Sequence, residues 1–340
     1  MQKKLNSLIS SVSILLQDWL RYELNMRRFR YLEIKNRMER LGRGPKNNSY
    51  VCLWPYTSRL AAVERWPFVG RSILRRCIRD HVFKSDRHEV SNKSFDISVI
   101  IGHRGLQRKD LLLTTLGSIG SQEGVSIECI VVEQDNTPKI KRFLPSWIRY
   151  VFQESDGGND GYNRSAAFNL GARHARGGVL LLHDNDMLIP TIYCKEVVAL
   201  TREGYDALNI KRYVFYLGRE DTERVTESIE NLRMCTPLYI VQNLEAGGSM
   251  AITKDAYMTV GGMDENFIGW GGEDNEFWKR CSVLKGWIWG YTPVIHLWHE
   301  SQPMKEEKDN INLERAKELD NKDIHEKIKR LRTENKMDTN

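Results

Sequence analysis

The spacing of hydrophobic residues divides the sequence into a helical start and an alternating middle. In residues 5–20 the apolar side chains recur at offsets of three and four, which predicts an amphipathic helix. From Asp96 onward, short β-branched runs alternate with stretches of helical spacing. The runs are residues 97–101, 127–132 and 178–182, and the helical stretches are residues 111–119 and 164–176. This alternation predicts an α/β fold, a Rossmann-like, mostly parallel sheet flanked by helices.

The alternation also predicts where a ligand binds. In open parallel sheets, ligands bind at the carboxyl ends of the strands. His103 and Arg104 follow the first run, Asp135 follows the second, and the polar stretch 183–187 follows the third. We therefore expect functional side chains at these three strand ends.

The composition is that of a globular protein with an uneven charge. The chain has 340 residues, of which 41% are hydrophobic, and a net charge of +6. Residues 1–90 carry 19 Lys and Arg against 8 Asp and Glu, so the whole basic excess lies in the first quarter of the chain. Residues 304–340 are rich in Lys and Glu with sparse apolar positions. They predict a charged helical tail that is partly disordered.

Three interpretations of the basic region, residues 1–90, stay open. It can be an interfacial helix on an anionic membrane, a docking region for a partner enzyme, or a helical cap packed on the next domain. Nucleic acid is a poorer partner because no nucleic-acid-binding motif accompanies the charge. The sequence contains no apolar run of transmembrane length, no signal-peptide pattern and no Cys-x-x-Cys pair. We expect a cytoplasmic protein with reduced thiols, peripheral on the inner face of the membrane under the first interpretation.

Two carboxylates and two histidines form a candidate metal site. Asp184 and Asp186 follow the third predicted strand, and carboxylates there suit Mg²⁺ or Mn²⁺, which prefer oxygen ligands. A turn rich in Asp and Asn is the structural alternative. His296 and His299 follow a later apolar run, and their spacing differs from the i, i+4 pair of zinc proteases. On a loop, either imidazole could complete the coordination of a metal held by Asp186.

The segment Trp270-Gly271-Gly272-Glu273-Asp274 combines an aromatic ring, two glycines and two adjacent carboxylates. Glycine lets the backbone approach a ligand closely, and the ring offers a flat apolar face. Carboxylates accept hydrogen bonds from hydroxyl groups or take up a proton. A polar turn is the alternative, but the Asp-x-Asp and the histidine pair elsewhere in the chain favour a sugar site.

Other polar residues suit a nucleotide. Arg164 opens a predicted helix, where a guanidinium suits a diphosphate, although a surface arginine is the structural alternative. His103 and Arg104 can line a nucleotide pocket, and Asp135 can accept hydrogen bonds from a uracil ring or a ribose. The chain lacks Gly-x-Gly-x-x-Gly, P-loop and Gly-x-Ser-x-Gly motifs, which counts against dinucleotide oxidoreductases, ordinary kinases and serine hydrolases.

Several of these segments together resemble the GT-A nucleotide-sugar glycosyltransferases. The likeness is strongest to β-1,4-galactosyltransferases and looser to polypeptide N-acetylgalactosaminyltransferases and to bacterial family 2 enzymes such as chondroitin polymerase. The segments are residues 96–105, 163–171, 183–190, 245–280 and 296–300. The resemblance covers neither residues 1–90 nor residues 304–340. It implies one GT-A domain, residues 91–303, between the basic region and the charged tail.

The resemblance also implies a ligand set. The donor would be a UDP-sugar, and Asp186 with His299, aided by His296, would hold Mn²⁺ or Mg²⁺. Asp184 would lie close to the ribose and the metal, and Arg164 would contact the diphosphate.

Further roles are implied for the remaining site residues. His103, Arg104 and Asp135 would surround the nucleoside, while Gly248 and Gly272 would border the donor. Trp270 and Glu273 would hold the donor or acceptor sugar, and Asp274 would be the general base. A base opposite the leaving UDP would invert the anomeric centre. Residues 269–272 would then form a lid.

The sequence departs from the galactosyltransferases at two places. They carry a methionine where His296 aligns, which could change the metal preference. They also carry an aromatic pair where this chain has Glu245-Ala246, in a region that influences the fit of galactose or N-acetylgalactosamine.

These features predict a metal-dependent glycosyltransferase of surface polysaccharide or glycoconjugate synthesis. It would move a hexose or N-acetylhexosamine, with galactose or N-acetylgalactosamine favoured, from a UDP-sugar to a glycan acceptor that can be lipid-linked. A non-catalytic subunit that binds nucleotide sugars or glycans is one alternative, and a sugar nucleotidyltransferase is another. The intact set of acidic residues and histidines disfavours the first. The segment Gly102-His103-Arg104-Gly105 is a poor match to the basic triphosphate loop that the second needs.

Overall fold

Two β-sheets form the centre of the protein. The structure is a computed structural model that describes residue 22 and residues 24–27, 30–54, 57–86, 94–155, 161–242, 246–301 and 310–336. The helix predicted for residues 5–20 and the side chain of Glu245 lie outside the described residues.

The seven-stranded sheet contains the three runs that the sequence predicts as strands. In spatial order its strands are β13 (Gly286–Trp287), β9 (Ala207–Leu208), β12 (Ser249–Thr253), β7 (Val179–His183), β4 (Ile97–His103), β5 (Ile127–Asp135) and β6 (Ile148–Glu154). β12 pairs antiparallel with β7 and β9, and the other neighbouring pairs are parallel. The sheet is therefore mixed and mostly parallel, and the predicted α/β GT-A architecture is confirmed.

The helices lie around this sheet and at both ends of the described chain. They are α1 (Ala61–Arg65), α2 (Pro67–Asp80), α3 (Lys109–Gly120), α4 (Arg164–His174), α5 (Tyr193–Arg202), α6 (Arg219–Glu227), α7 (Lys254–Thr259), α8 (Glu273–Arg280), α9 (Ile311–Asp320) and α10 (Ile324–Glu334). Among the described residues, none of the helices combines the length and the apolar character needed to span a bilayer.

Alternate residues of the central strands face opposite helical layers, because successive side chains of a strand point to opposite faces. Val99 of β4 lies in one core cluster with Leu116 of α3. The next residue, Ile100, lies in another cluster with Phe168 of α4. Both faces are therefore covered, which explains why β4 reads in the sequence as a continuous apolar run.

The sequence does not predict the second sheet. In spatial order its strands are β3 (Ser58–Arg59), β11 (Tyr239–Gln242), β10 (Lys211–Tyr216), β14 (Thr292–His296) and β8 (Met187–Leu188). The β10 and β14 pair is parallel and the other pairs are antiparallel. Because β8 directly follows Asp186 and β14 ends at His296, the pairing of these two strands brings the two candidate metal ligands together.

The described part of the basic region packs on this second sheet. It contains the paired strands β1 (Leu41–Arg43) and β2 (Tyr50–Cys52) as well as α1 and α2. Ile73 and Leu74 of α2 are fully buried in one cluster with Tyr213 and Phe215 of β10. The described residues between 31 and 86 therefore pack on the domain, and they include strands as well as helices.

In its described residues 310–336, the charged tail forms the helices α9 and α10 and packs on the domain. Asn335 Nδ2 donates to the carbonyl oxygens of Gly261 at 2.7 Å and Met263 at 2.8 Å. Leu331 is 1% exposed. The backbone next to Leu331 lies close to Gly261. A Cβ atom added to Gly261 would lie 3.0 Å from the amide nitrogen of Arg332. Leu319 is also buried, as are several polar residues of the tail, whereas Ile311 and Leu313 are exposed.

Candidate active site

The predicted site residues gather at the carboxyl ends of the strands. His103 is the last residue of β4, Asp135 is the last residue of β5, and Asp184 follows β7 directly. His296 ends β14 of the second sheet. Polar residues at the carboxyl ends of strands from both sheets thus lie in one region, as the direction of the parallel strands predicts.

Asp186, His296 and His299 form a candidate metal site, in which one ligand atom from each residue lies within 4.8 Å of the others. His299 Nε2 lies 3.3 Å from Asp186 Oδ2, and His296 Nε2 lies 3.9 Å from Asp186 Oδ1. Asp186 Oδ1 is buried without a hydrogen-bond partner among the described residues. A buried carboxylate oxygen that lacks a donor fits a cation ligand, so the residues present suit a divalent ion.

Backbone pairing fixes this geometry. Met187 of β8 pairs with His296 of β14, and the amide of Leu297 donates to the carbonyl oxygen of Asp186 at 2.8 Å. The His296 ring stacks on Tyr216, with centroids 4.4 Å apart. Burial lowers the pKa of His296, although the charge of Asp186 opposes this shift. The imidazole is therefore neutral at neutral pH, which is the form that binds metals.

Arg108 lies at the same cluster and was missed by the sequence reasoning. Its Nη1 donates to Asp186 Oδ2 at 3.1 Å, and its Nη2 lies 2.9 Å from His299 Nδ1. Nothing in the local sequence distinguishes Arg108 from the polar neighbours Gln107 and Lys109. Only the fold, which places the start of α3 beside β8, reveals this contact.

A second group of side chains surrounds Arg164, the first residue of α4. Its Nε and Nη2 donate to Asp184 Oδ1 at 2.9 Å and 2.6 Å, and its Nη1 donates to Glu273 Oε1 at 3.2 Å. Nη1 also contacts Asp274. The predicted base, the predicted sugar-holding acid and the first Asp of the Asp-x-Asp therefore share one guanidinium.

The environment separates the pKa values of these carboxyls. Burial and then the charge of Asp274 raise the pKa of Glu273 to about 7. Burial also raises the pKa of Asp274, although Arg164 opposes it. The contacts of Arg164 outweigh burial at Asp184 and lower its pKa. Asp184 is thus ionised at neutral pH, whereas the Glu273 and Asp274 carboxyls are held closer to their protonated forms.

Glycines shape the backbone around this acidic group. Gly271 and Gly272 have φ angles of +107° and +88°, in the left-handed region that favours glycine. A Cβ at Gly247 would lie 2.8 Å from Asp274 Oδ2. The carbonyl oxygen of its neighbour Gly248 accepts from the amide of Asp184 at 2.9 Å. The predicted residues Gly248, Gly272 and Asp274 are therefore close together, and Trp270 is 36% exposed at the rim.

The residues predicted to surround the nucleoside differ in exposure: His103 and Asp135 are buried, and Arg104 is half-buried. His103 is fully buried, and its ring nitrogens contact Asn185 Nδ2 at 3.0 Å and the carbonyl oxygen of Gly105 at 2.9 Å. It thus orients the residue between Asp184 and Asp186. Arg104 is half-buried, and Asp135 accepts from the Gly105 amide at 3.1 Å.

Lys211 is a further buried cation that the sequence reasoning missed. It opens β10, and its Nζ donates to the carbonyl oxygen of Ser249 at 2.5 Å. Burial lowers the pKa of Lys211 to about 7, although Asp274 and Asp184 oppose this shift. Its position as the first residue of an unpredicted strand gave no signal in the sequence.

Two family models match overlapping parts of the chain. Residues 98–258 match the model described as glycosyl transferase family 2. Residues 240–295 match the model described as the N-terminal domain of galactosyltransferase. The first match contains both residues of the Asp-x-Asp, and the second contains Glu273 and Asp274.

Curated relatives are similar over about half of the chain. Chondroitin synthase of Escherichia coli is 24% identical over 242 residues, which are 58% of this chain and 34% of that protein. Validoxylamine A glucosyltransferase of Streptomyces hygroscopicus subsp. jinggangensis is 26% identical over 208 residues, 51% of this chain and 48% of that protein. The chain thus matches less than half the length of these relatives.

Solved structures show a looser likeness. The mannosyltransferase PcManGT from Pyrobaculum calidifontis in complex with GDP-Man and Mn²⁺ has a TM-score of 0.41 and 14% identity, over 72% of this chain and 68% of that chain. S. aureus TarS 1-349 in complex with UDP has a TM-score of 0.40 and 14% identity, over 60% and 58% of the two chains. Likeness at this level carries no argument about chemistry.

Proposed function

From the premise that the chain carries a family 2 glycosyltransferase domain of the GT-A fold, we propose that it is a hexosyltransferase. It transfers a hexose or an N-acetylhexosamine from a UDP-sugar to a hydroxyl of a glycan acceptor. Galactose and N-acetylgalactosamine are the favoured sugars, because residues 240–295 match a galactosyltransferase model.

One observation carries this proposal: a candidate metal site and an acidic pair that contacts Arg164 lie at the same end of the sheet. Asp186 belongs to the first group, and Asp184, two residues earlier, is joined through Arg164 to Glu273 and Asp274 of the second. Sugar transfer needs both groups, because one must bind a diphosphate and the other must accept a proton.

The metal-side residues have a clear role in this scheme. Asp186, His296 and His299 would hold a divalent ion, Mn²⁺ or Mg²⁺, which supplies Lewis-acid neutralisation of the charge on the leaving UDP. Arg104 and Asp135, at the ends of the neighbouring strands, would face the nucleoside. Asp184 stays ionised beside Arg164 and would border the ribose.

The acidic pair, Glu273 and Asp274, would bind and activate the acceptor. A carboxylate with a raised pKa is a stronger base, and burial raises the pKa of Asp274, so this residue would deprotonate the attacking hydroxyl. Attack from the side opposite UDP inverts the anomeric centre. Glu273 would hold a sugar hydroxyl, since its buried Oε2 has no hydrogen-bond partner among the described residues. The exposed ring of Trp270 would stack on a sugar.

A UDP-release assay tests this function. Purified full chain would be incubated with Mn²⁺ and a panel of UDP-galactose, UDP-N-acetylgalactosamine, UDP-glucose and UDP-N-acetylglucosamine, and released UDP would be measured by luminescence. We expect release with one or two donors, and a loss of about 100-fold or more in Asp274→Asn. UDP-sugar binding without turnover would instead favour the binding subunit, and pyrophosphate release from nucleoside triphosphate would favour the nucleotidyltransferase.

We further propose that the acceptor is lipid-linked and that the protein works at a membrane surface. α2 and the segment after α6 form a surface that we call the arginine face: Phe68, Arg71, Arg75, Arg233, Met234 and Leu238. Arg71 Nε donates to Thr236 Oγ1 at 2.7 Å, and Arg75 Nε donates to the carbonyl oxygen of Arg233 at 3.3 Å. These contacts hold the two segments side by side.

The composition of the arginine face suits an anionic bilayer. Phe68, Met234 and Leu238 are 51%, 56% and 55% exposed. Among the described residues, Arg71 and Arg75 form no ion pair, so their charge is available to a partner. Arginines interleaved with exposed apolar side chains are typical of surfaces that insert shallowly among anionic headgroups.

A further inference from the structure

Arg108 shares its hydrogen-bond acceptors with the candidate metal site. Its side chain is 23% exposed, and its two terminal nitrogens contact Asp186 Oδ2 and His299 Nδ1. Two of the three candidate ligands are therefore in contact with a cation that belongs to the protein. The like charges of a guanidinium and a divalent ion repel strongly at such distances.

Hydrogen-bond chemistry makes the Arg108 contact and metal binding by His299 mutually exclusive. A guanidinium has no acceptor, so His299 Nδ1 must accept when it bonds to Arg108. The neutral ring then carries its proton on Nε2, and neither nitrogen has a free lone pair. A metal ligand needs such a lone pair.

The structure also offers the alternative hydrogen bond for the same ring. His299 Nδ1 lies 2.7 Å from the carbonyl oxygen of Glu300, to which it can donate only when it carries the proton. Nε2 is then unprotonated and faces Asp186 Oδ2 at 3.3 Å. A ring held by a backbone carbonyl with its other nitrogen free is the usual arrangement of a metal-binding histidine.

We propose that Arg108 competes with the divalent ion for Asp186 and His299, and that the diphosphate of the donor relieves this competition by accepting the released guanidinium. The inference rests on the proposed function. A guanidinium is a strong donor to phosphate oxygens, and the diphosphate brings negative charge to the metal. Metal and donor then bind cooperatively, and Arg108 is the positioning residue that couples them.

Mn²⁺ binding to the full chain, followed by electron paramagnetic resonance of the free ion, tests the competition. We expect Arg108→Met to bind Mn²⁺ roughly tenfold more tightly than the unmodified protein, because a like charge next to the ligands is removed. Saturating UDP should tighten Mn²⁺ binding in the unmodified protein and do so less in Arg108→Met. Lys109→Met, which removes the adjacent charge outside the cluster, should leave both affinities unchanged.

A second measurement shows directly which ring nitrogen of His299 carries the proton. Long-range ¹H–¹⁵N spectra of ¹⁵N-histidine protein without metal should show His299 protonated at Nε2, and at Nδ1 in Arg108→Met. Equal or weaker Mn²⁺ binding by Arg108→Met, or an Nδ1 proton in the unmodified protein, would overturn the proposal. If no form of the protein binds Mn²⁺ or UDP, the proposed transferase function fails, and the spectra still decide the role of Arg108.

Discussion

Arg164 donates to one oxygen of Asp184 through two nitrogens, Nε at 2.9 Å and Nη2 at 2.6 Å. Its remaining terminal nitrogen contacts Glu273 and Asp274. One guanidinium therefore contacts three carboxyl groups. The predicted contact of Arg164 with a diphosphate stays a prediction, because its donors point to acids of the protein itself.

Removing this guanidinium should destabilise the protein in a pH-dependent way. Arg164→Met leaves Glu273 and the half-buried carboxylates of Asp184 and Asp274 without their partner, which costs about 3 kcal/mol in comparable sites. Without Arg164 the pKa values of Asp184 and Asp274 rise, so these groups are protonated at mildly acidic pH and the cost falls. We expect urea unfolding to show a larger loss of unfolding free energy at pH 8 than at pH 5.5. Arg173→Met, on the exposed face of the same helix, should show little loss, and an equal loss for Arg164→Met at both pH values would contradict the explanation.

Replacing Glu273 should change the stability in the opposite direction, because its variant should gain stability at high pH. Its pKa is raised from 4.5 to about 7 by burial and by Asp274, so the native state binds the proton more tightly than the unfolded state. The stability that this proton contributes is present below pH 4.5 and is lost as the pH rises through about 7. Glu273→Gln should therefore be more stable than the unmodified protein at pH 8, by roughly 2 kcal/mol, and no more stable at pH 4.5.

Urea unfolding at the two pH values measures this difference. Glu265→Gln on a neighbouring loop controls for the loss of one negative charge. A gain that is the same at pH 4.5 and at pH 8 would show that the carboxyl does not titrate in this window.

The central strands could be predicted because burial on both faces leaves a direct mark on the sequence. β4, β5 and β7 are covered by helices, so each strand contains a mostly apolar run that is visible without any partner, and the polar residues of β4 and β5 gather mainly at the carboxyl ends. The Asp-x-Asp, the histidine pair and the loop at Trp270 could be found because each groups uncommon residue types within a few positions. Their proximity in space then followed from the direction of the strands.

The second sheet could not be predicted, because its strands carry little periodicity of their own. β3 and β8 have two residues each, and β10 begins with Lys211 and Arg212, which read as surface residues. Both charges are buried by contacts from distant segments, since Arg212 Nε donates to the carbonyl oxygen of Leu32 at 2.8 Å. The role of Arg108 could not be predicted for the same reason, because its acceptors are 78 and 191 residues away in sequence.

The docked tail leads to a prediction about the acceptor side. Asn312 Nδ2 donates to the carbonyl oxygens of Ile268 at 2.8 Å and Trp270 at 3.2 Å, and Asn312 is 3% exposed. Asn312→Ala removes the side-chain donor to the Ile268 carbonyl and one of two side-chain donors to the Trp270 carbonyl, since Asn310 Nδ2 also donates to Trp270 at 3.1 Å. The loss of these hydrogen bonds costs about 1 kcal/mol. We expect lower stability and a higher KM for the acceptor with little change in the KM for the donor.

Calorimetry and steady-state kinetics at saturating donor measure these effects. Asn321→Ala is the matched control, because Asn321 is exposed on the same segment and its side chain donates to the carbonyl oxygen of Lys317 at 3.3 Å, within the tail itself. If the two variants behave alike, the tail does not position the loop at Trp270.

The arginine face predicts charge-dependent membrane binding. Replacing Arg71, Arg75 and Arg233 with Gln removes three charges from this face. Each arginine near an anionic bilayer contributes about 1 kcal/mol, so partitioning should fall on the order of 100-fold. Flotation of the full chain with vesicles of equal parts phosphatidylglycerol and phosphatidylcholine measures this change at low salt.

The experiment must distinguish vesicle binding by the arginine face from vesicle binding by other basic segments. The most important of these is residues 1–21, which the structure does not describe. A control with Gln at Arg142, Arg173 and Arg202 removes the same charge from exposed positions elsewhere, so it should bind anionic vesicles almost as the unmodified protein does. If the arginine-face variant also binds as before, the N-terminal segment carries the affinity and the face is not a membrane contact. Equal binding of the unmodified protein to pure phosphatidylcholine would show that charge does not drive the association, because only a charged surface distinguishes the two vesicles.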